Sequence, residues 1–125
     1  MKYAVLVSRE KAPFAPVEEM LKKKDVCLDH ARTGKELLEL LSKAGSPVAL
    51  IIISAADTEP KPLIEDVVVQ SPFSHCVVAG DMDKEAFHDF YEGYGVLMQI
   101  GALPTPEDVV KLSDHLDKLA QLGSF

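Results

Sequence analysis

Several polar side chains directly follow apolar runs of the sequence, with Ser54 at the end of Val48–Ile53. Others follow neighbouring runs: Ser8, Arg9, Glu10 and Asp81. Catalytic and binding groups of open α/β sheets lie beyond the carboxyl ends of the strands. We therefore expect these side chains to lie together at that end of the sheet, which we call the rim. A serine there could act as a nucleophile beside a base, and His30 is the best-placed histidine. No Gly-x-Ser-x-Gly elbow surrounds Ser54, so a small strand-end residue is the simpler interpretation.

Carboxylates on this rim could also bind a metal ion. Glu10, Asp81 and Asp83 together would supply enough oxygen ligands for a divalent cation. Asp81 and Asp83 are equally typical of the start of the following helix, which is the simpler interpretation. The segment Ser8–Pro13 contains no glycine, so it does not resemble a loop that binds the phosphates of a flavin or a nucleotide. We therefore expect neither a metal nor a cofactor.

The composition disfavours several further classes of function. The chain has 125 residues and a net charge of -7. This length predicts one domain, 1–125, and this charge disfavours binding to nucleic acid or to an anionic membrane. The apolar stretch in Met1–Val7 is too short for a signal peptide, and no segment could span a bilayer, so we expect a cytoplasmic protein. Cys27 and Cys76 lack metal-ligand spacing, which predicts two buried thiols.

The apolar runs predict an alternation of strands and helices. Val48–Ile53 is continuous and contains three isoleucines, which is typical of a central parallel strand covered on both faces. Five strands are predicted, at Tyr3–Val7, Asp25–Leu28, Val48–Ile53, His75–Ala79 and Val96–Ile100. Five helices are predicted, at Pro16–Lys24, Lys35–Ala44, Leu63–Gln70, Lys84–Tyr91 and from Thr105 onward. This alternation predicts a three-layer, flavodoxin-like α/β sandwich with one parallel sheet in the order 2-1-3-4-5.

The second and third predicted helices carry distinct end signals. Thr33 and Glu36 have the spacing of a capping box before the second helix, and Gly45 is suited to end it. Its leucines are predicted to be buried: Leu37, Leu38, Leu40 and Leu41. Prolines at 60 and 62 precede the third helix, so we expect that helix to be short and poorly regular.

Two segments give the chain a resemblance to a known family. His30–Leu41 looks like the end of the second strand and the second helix of that family, with its alanine, glycine and Glu-Leu-Leu pattern. Pro106–Val109 is similar to the family's Pro-Glu-Glu-Leu opening of the fifth helix. In these motifs and in the order of its elements, nearly the whole chain resembles a response-regulator receiver (CheY-like) domain.

The resemblance implies an acidic pocket at the rim. In receiver domains, two carboxylates after the first strand and one after the third hold Mg²⁺, and the third-strand aspartate accepts a phosphoryl group. A hydroxyl that ends the fourth strand and a lysine that ends the fifth contact that phosphate. Such a pocket suits the chemistry, because a hard cation needs clustered oxygens and a phosphoryl group needs cationic partners.

This sequence departs from the receiver pattern at nearly every pocket position. Ser8 and Arg9 stand where the acidic pair belongs, with Glu10 beside them, and Ser54 replaces the phosphoacceptor. The remaining positions lack the hydroxyl, the lysine and the aromatic switch residue: Gly80, Ala102 (or Gly101) and Gln99. Asp57 is a weaker candidate acceptor because its position predicts a place inside the loop. The resemblance therefore implies a degenerate pseudo-receiver that is not phosphorylated.

Four of the chain's eight aromatic side chains fall in one short segment: Phe87, Phe90, Tyr91 and Tyr94. One helical turn and its exit cannot point all four inward, so we expect at least one at the surface, although core packing of all four is the alternative. The fourth helix, fifth strand and fifth helix of receivers bind partners or pair two subunits. The resemblance thus implies a protein partner or a homodimer at this face, with these candidate contacts: Phe87, Tyr91, Tyr94 and Met98.

Two functions remain open from the sequence. The first is a non-enzymatic, receiver-like signalling or regulatory module that acts through protein–protein interaction. The alternative is a small α/β enzyme or ligand-binding domain that uses the rim around Arg9, Glu10, Ser54 and Asp81. A cleft with perturbed carboxylates would favour the alternative, whereas a filled rim would favour the module.

Overall fold

Strands and helices alternate in the computed structural model, which describes residues 2–43 and 47–125. Its strands are β1 (Lys2–Val7), β2 (Val26–Ala31), β3 (Val48–Ser54), β4 (His75–Ala79) and β5 (Val96–Ile100). Its α-helices are α1 (Ala15–Lys22), α2 (Gly34–Lys43), α3 (Pro60–Gln70), α4 (Lys84–Phe90) and α5 (Pro106–Gln121). The paired strands are all parallel, in the order β2-β1-β3-β4-β5. The predicted topology is confirmed.

The centre of the sheet is β3, which pairs with β1 on one side and with β4 on the other. Its side chains from Leu50 to Ile53 are fully buried. Because alternate side chains point to opposite faces, Ile52 packs in the cluster that contains Leu112 of α5, and Ile51 packs in the cluster that contains Leu37 of α2. The central, covered strand that the apolar run predicted is therefore present.

α3 begins at Pro60, three residues before its predicted start at Leu63, and is 11 residues long. Proline has no backbone N–H, but the N–H groups of a first helical turn have no intrahelical acceptor. Pro60 and Pro62 are therefore tolerated in this turn. The prediction of a short helix was wrong because it treated both prolines as helix breakers.

The four leucines of α2 are not equally buried, which corrects the prediction. Leu37 is fully buried, Leu38 and Leu41 are half-buried, and Leu40 is 36% exposed. A surface helix buries one stripe of its circumference. Leucines at these four positions spread over a wider arc than that stripe, so the outermost one faces solvent.

The predicted capping box before α2 forms only in part. Thr33 Oγ1 accepts the backbone N–H of Glu36 at 3.1 Å, as predicted. The Glu36 carboxylate instead accepts the backbone N–H of Arg32 at 2.7 Å, one residue before the cap. The predicted helix end at Gly45 lies outside the described residues.

The two cysteines differ in burial. Cys76 is buried in β4, and this burial raises the pKa of its thiol to about 11, so the thiol is neutral at physiological pH. Cys27 lies on β2 at the edge of the sheet and is half-buried, which corrects the prediction of two buried thiols. None of the described helices is long and apolar enough to cross a membrane.

Candidate functional site

The two serines of the predicted rim lie at the carboxyl ends of neighbouring strands. Ser8 follows β1 and Ser54 ends β3, just beyond the paired residues Val7 and Ile53. Ser8 is 1% exposed and Ser54 is 5% exposed. Both residues are therefore largely covered by the surrounding chain.

Ser8 and His30 are in contact, but they do not form a nucleophile and base. His30 Nε2 lies 2.7 Å from the Ser8 carbonyl oxygen and 3.3 Å from Ser8 Oγ. Because a carbonyl oxygen can only accept, Nε2 must carry the proton of this short contact. The Ser8 hydroxyl in turn donates to the Glu10 carbonyl oxygen at 2.6 Å. The pair thus fastens β2 to the loop after β1.

Asp57 joins the loop after β3 to the loop after β1. Its Oδ2 accepts the backbone N–H of Arg9 at 3.0 Å. The backbone N–H of Asp57 donates to the Ser54 carbonyl oxygen at 3.1 Å, which places Asp57 in a tight turn at the strand end. The carboxylate that comes nearest in sequence to an acceptor position is therefore engaged in a structural hydrogen bond.

The loop after β5, where the resemblance led us to look for a lysine, is held by two carboxylates. Asp81 Oδ1 accepts the backbone N–H of Ala102 at 3.3 Å. Asp108 Oδ2 accepts the backbone N–H groups of Gly101 at 3.1 Å and of Thr105 at 2.9 Å. A Cβ on Gly101 would lie 3.0 Å from that oxygen, so a glycine permits the close approach. Thr105 Oγ1 accepts the Asp108 N–H in return and completes a capping box.

The pKa of Asp108 is lowered in the folded protein. Its partial burial on its own would raise the pKa, but hydrogen bonds from the backbone of Thr105 and Gly101 outweigh this effect and lower it. A smaller contribution in the same direction comes from Lys111. The lowered pKa reflects a carboxylate that braces backbone donors, which is a structural use of the charge.

The three carboxylates that were candidate metal ligands each have a different environment in the structure. Asp83 caps α4 by accepting the backbone N–H of Ala86 at 2.9 Å, and Asp81 is bonded to Ala102. Glu10 is exposed in the loop after β1. Within residues 2–43 and 47–125, no three His, Cys, Asp or Glu side chains form a group that could hold a metal ion.

Gly80 and Gln99 complete the pocket positions named from the sequence. The backbone N–H of Gly80 donates to the Ile100 carbonyl oxygen at 2.9 Å. The Gln99 side chain clamps the segment before α4 at two points, with Oε1 accepting the Met82 N–H at 3.1 Å and Nε2 donating to the Met82 carbonyl at 2.8 Å. Gln99, which the resemblance places at the aromatic switch position of receivers, is thus hydrogen-bonded to the segment before α4.

A groove of about 850 Å³ runs between α4, β5 and α5. Its lining combines apolar, aromatic and basic side chains, including Phe87, His88, Tyr91, Met98, Lys111 and His115. Met82, 37% exposed, also lines it. In contrast to the rim, this groove is open and presents side chains of the types that form protein interfaces.

The four clustered aromatic residues divide between two sides of the α4–β5 connection. Phe87 and Tyr91 line the groove, with their ring centroids 4.8 Å apart, although Tyr91 is largely buried at 6% exposure. Phe90 is 43% exposed and packs edge-on against Tyr91. Tyr94 turns towards α3, where its hydroxyl donates to Glu65 Oε1 at 3.0 Å. Of the candidate contacts, Phe87, Tyr91 and Met98 are thus brought together and Tyr94 is not.

Comparison with solved structures places this fold among response-regulator receiver domains. A response regulator from Thermotoga maritima has a TM-score of 0.77 and 16% sequence identity, covering 95% of this chain and 97% of its own. The beryllofluoride-activated NtrC4 receiver domain dimer has a TM-score of 0.70 and 18% identity, covering 92% and 95%. A structure described as adenylate cyclase from Rhodopirellula baltica has a TM-score of 0.73 and 16% identity, covering 98% and 93%. No protein-family model and no curated protein matches the sequence.

These similarities establish the CheY-like α/β fold of receiver domains. At such low identity they do not carry over the activity of any neighbour, so the function is argued from the residues of this chain.

Sequence reasoning missed the roles of Asp108 and Lys61. The Thr-x-x-Asp spacing at 105–108 could have identified the Asp108 brace, because it has the form of a capping box. The Lys61 ammonium lies 3.7 Å from the centroid of the Phe90 ring. No local pattern signals this contact, because its two partners are far apart in the sequence.

Proposed function

We propose that this protein is a receiver-type signalling module that works without phosphorylation and binds a protein partner, or a second copy of itself, at the α4–β5–α5 groove. The observation that carries the proposal is a contrast between two regions. At the rim, Ser8, Asp57 and Asp108 are hydrogen-bonded to backbone groups of the chain, whereas the groove is open. The proposed module is not an enzyme, since the rim offers no paired nucleophile and base.

The chemistry of the rim supports the absence of phosphorylation. Ser54 is a buried serine, whereas an acyl phosphate forms on the carboxylate of an accessible aspartate. Ala102 provides no ammonium to stabilise the phosphoryl oxygens, and the neighbouring Asp81 presents a negative charge. Asp57 Oδ2 accepts the backbone N–H of Arg9, so a phosphoryl group on this oxygen would break the contact between two loops.

The composition of the groove supports docking of a protein. Aromatic rings and methionines are enriched at the centres of protein interfaces, and Phe87, Met82 and Met98 supply them here. Lys84 and Lys111 add positive charge to a chain whose net charge is -7. The NtrC4 receiver domain, which shares this fold, is described as a dimer, so pairing of two copies is one form that the interaction takes in our proposal.

A matched pair of charge reversals on α5 tests the docking site. Lys111 lines the groove and lies 3.6 Å from Glu107, four residues before it. Lys118 is exposed outside the groove lining and follows Asp114 by the same spacing. Lys111→Glu and Lys118→Glu each create a like-charge pair at the same spacing on one helix, and of the two residues only Lys111 lines the groove.

The assay compares both variants with the parent by sedimentation for self-association and by pull-down from native extract for partner binding. We expect Lys111→Glu to weaken the association by roughly tenfold, or about 1.4 kcal/mol, and Lys118→Glu to leave it unchanged. Equal behaviour of the two variants would place docking outside the groove. Thermal melts confirm that both remain folded.

A further inference from the structure

The ammonium group of Lys61 lies among three aromatic rings. Its Nζ is 3.7 Å from the centroid of the Phe90 ring, 5.1 Å from that of Tyr94 and 6.0 Å from that of Tyr91. A cation at these distances is attracted by the negative face of an aromatic ring. Lys61 belongs to the first turn of α3, whereas the rings belong to the end of α4 and the connection to β5. The contact therefore ties two elements together.

A second contact from the same helix reinforces this tie. The hydroxyl of Tyr94 donates to Glu65 Oε1 at 3.0 Å. Glu65 follows Lys61 by four residues, so both side chains lie on the same face of α3. Tyr94 is thus held at its ring by a cation and at its hydroxyl by a carboxylate.

Tyr94 lies between two glycines that both have a left-handed backbone conformation. Gly93 has φ +84° and Gly95 has φ +67°, and a Cβ on either would meet no atom within 4 Å. Glycine adopts this left-handed conformation without steric cost, but it also leaves the backbone free to adopt others. Tyr94 is the only residue between these two glycines. Its contacts with α3 therefore hold the α4–β5 connection in place at this point.

The connection that α3 holds on one side forms a wall of the groove on the other. Tyr91, Gly93 and Gly95 line the groove. The Tyr91 ring also contacts the rings of Phe87 in the groove and of Phe90 beneath Lys61, with centroids 4.8 and 4.9 Å away. A movement of the connection away from α3 would therefore change the shape of the groove.

We propose that Lys61 and Glu65 form a latch that fixes the α4–β5 connection and keeps the docking groove in one shape. Lys61 is a positioning residue, since it acts from α3 and does not line the groove. The latch stands on geometry alone, whereas its effect on docking rests on the proposed function. In this account the groove is maintained by a permanent contact, with no signal from the rim.

Hydrogen exchange of the full chain tests the latch directly. Lys61→Met keeps the length of the side chain and removes its charge, whereas Lys61→Arg keeps the charge. The backbone N–H groups of Tyr91 and Tyr94 report on the connection, because they donate to the carbonyl oxygens of Phe87 and Tyr91.

We expect Lys61→Met to increase exchange at these two amides roughly 2- to 30-fold, the range that corresponds to the energy of a cation–π contact. Lys61→Arg is expected to retain the protection of the parent. Unchanged exchange in Lys61→Met would overturn the latch, and so would an equal increase throughout the sheet, because that would indicate general destabilisation. Glu65→Gln tests the second contact in the same way, with a smaller local increase expected.

The association assay on Lys61→Met separates this proposal from the proposed function. Faster exchange together with weaker association supports both. Faster exchange with unchanged association supports the latch and contradicts docking at the groove. Unchanged exchange overturns the latch whatever the association does, and docking at the groove is then judged by the Lys111 and Lys118 variants alone.

Discussion

The rim at the carboxyl ends of the strands and the groove between α4 and α5 use polar residues in opposite ways. At the rim, Ser8, Asp57 and Asp108 each bond to backbone groups of the same chain. In the groove, Lys111 and His115 border an open space of about 850 Å³. A polar group that is hydrogen-bonded within the chain has less capacity left to bind a ligand. The comparison shows that three rim side chains are committed to backbone partners, whereas two groove side chains border open space.

Placing a carboxylate at the centre of the rim is expected to have the largest effect. Ser54→Asp introduces a charge at a position that is 5% exposed, with alanine where a receiver has its lysine. We expect a loss of about 3 kcal/mol in the free energy of unfolding at neutral pH. Burial raises the pKa of such a carboxyl, so the loss should increase as the pH rises. Urea denaturation at several pH values measures it.

Ser54→Asn is the control for Ser54→Asp, since it has nearly the same size and no charge. Equal stability of the two variants at neutral pH would mean that water reaches Ser54 and that the rim is open. Intact-mass measurement after treatment with acetyl phosphate and Mg²⁺ extends the test. We expect no phosphoryl group on Ser54→Asp, because the acidic pair and the lysine are still missing.

Removing the Asp108 brace is expected to have an intermediate effect. Asp108→Ala deletes the acceptor for the N–H groups of Gly101 and Thr105, which should cost about 1 kcal/mol, as for other helix caps. Because the pKa of Asp108 is lowered in the folded state, its contribution is present above the ordinary pKa of an aspartate and is lost as the pH falls through the lowered one. The difference between variant and parent should therefore shrink in acid.

Asp114→Ala, at an exposed position on the same helix, is the control for Asp108→Ala and should change stability by less than about 0.5 kcal/mol. Chemical denaturation of both variants at neutral and acidic pH provides the comparison. Equal losses in the two variants would show that Asp108 is an ordinary surface carboxylate and that the rim is less tightly bonded than we describe.

The smallest effect is expected at Tyr94, on the side of the α4–β5 connection that faces α3. The hydrogen bond from Tyr94 to Glu65 raises the pKa of this tyrosine, with further contributions from burial and from the Glu65 charge. Glu65→Ala should therefore lower the pKa of Tyr94 towards its ordinary value. A raised pKa means that the contact stabilises the fold below the ordinary pKa of a tyrosine and is lost as the pH rises through the raised one.

NMR titration of ring-labelled tyrosines measures this shift. Tyr91 is the internal control, because its pKa is raised by burial alone and should not respond to Glu65→Ala. If the pKa of Tyr94 does not change in the variant, the contact with α3 is absent in solution and the wall of the groove is not held there.

The fold could be predicted from the sequence because its signals are local. The continuous apolar run Val48–Ile53 predicts a covered central strand, and the spacing of Thr33 and Glu36 predicts the cap before α2. The candidate site was harder to predict because its contacts join distant segments. Asp57 is hydrogen-bonded to the backbone of Arg9, and Lys61 lies beside the Phe90 ring. Neither contact could be predicted from a periodic pattern or a motif in the sequence.

The central claim is that docking at the groove does not depend on phosphorylation at the rim. Its most direct test measures the association of the parent protein before and after incubation with acetyl phosphate and Mg²⁺, with the intact mass recorded on the same samples. We predict an unchanged mass and an unchanged association constant. A phosphoryl group mapped to Ser54 or Asp57, accompanied by a changed association constant, would contradict the account.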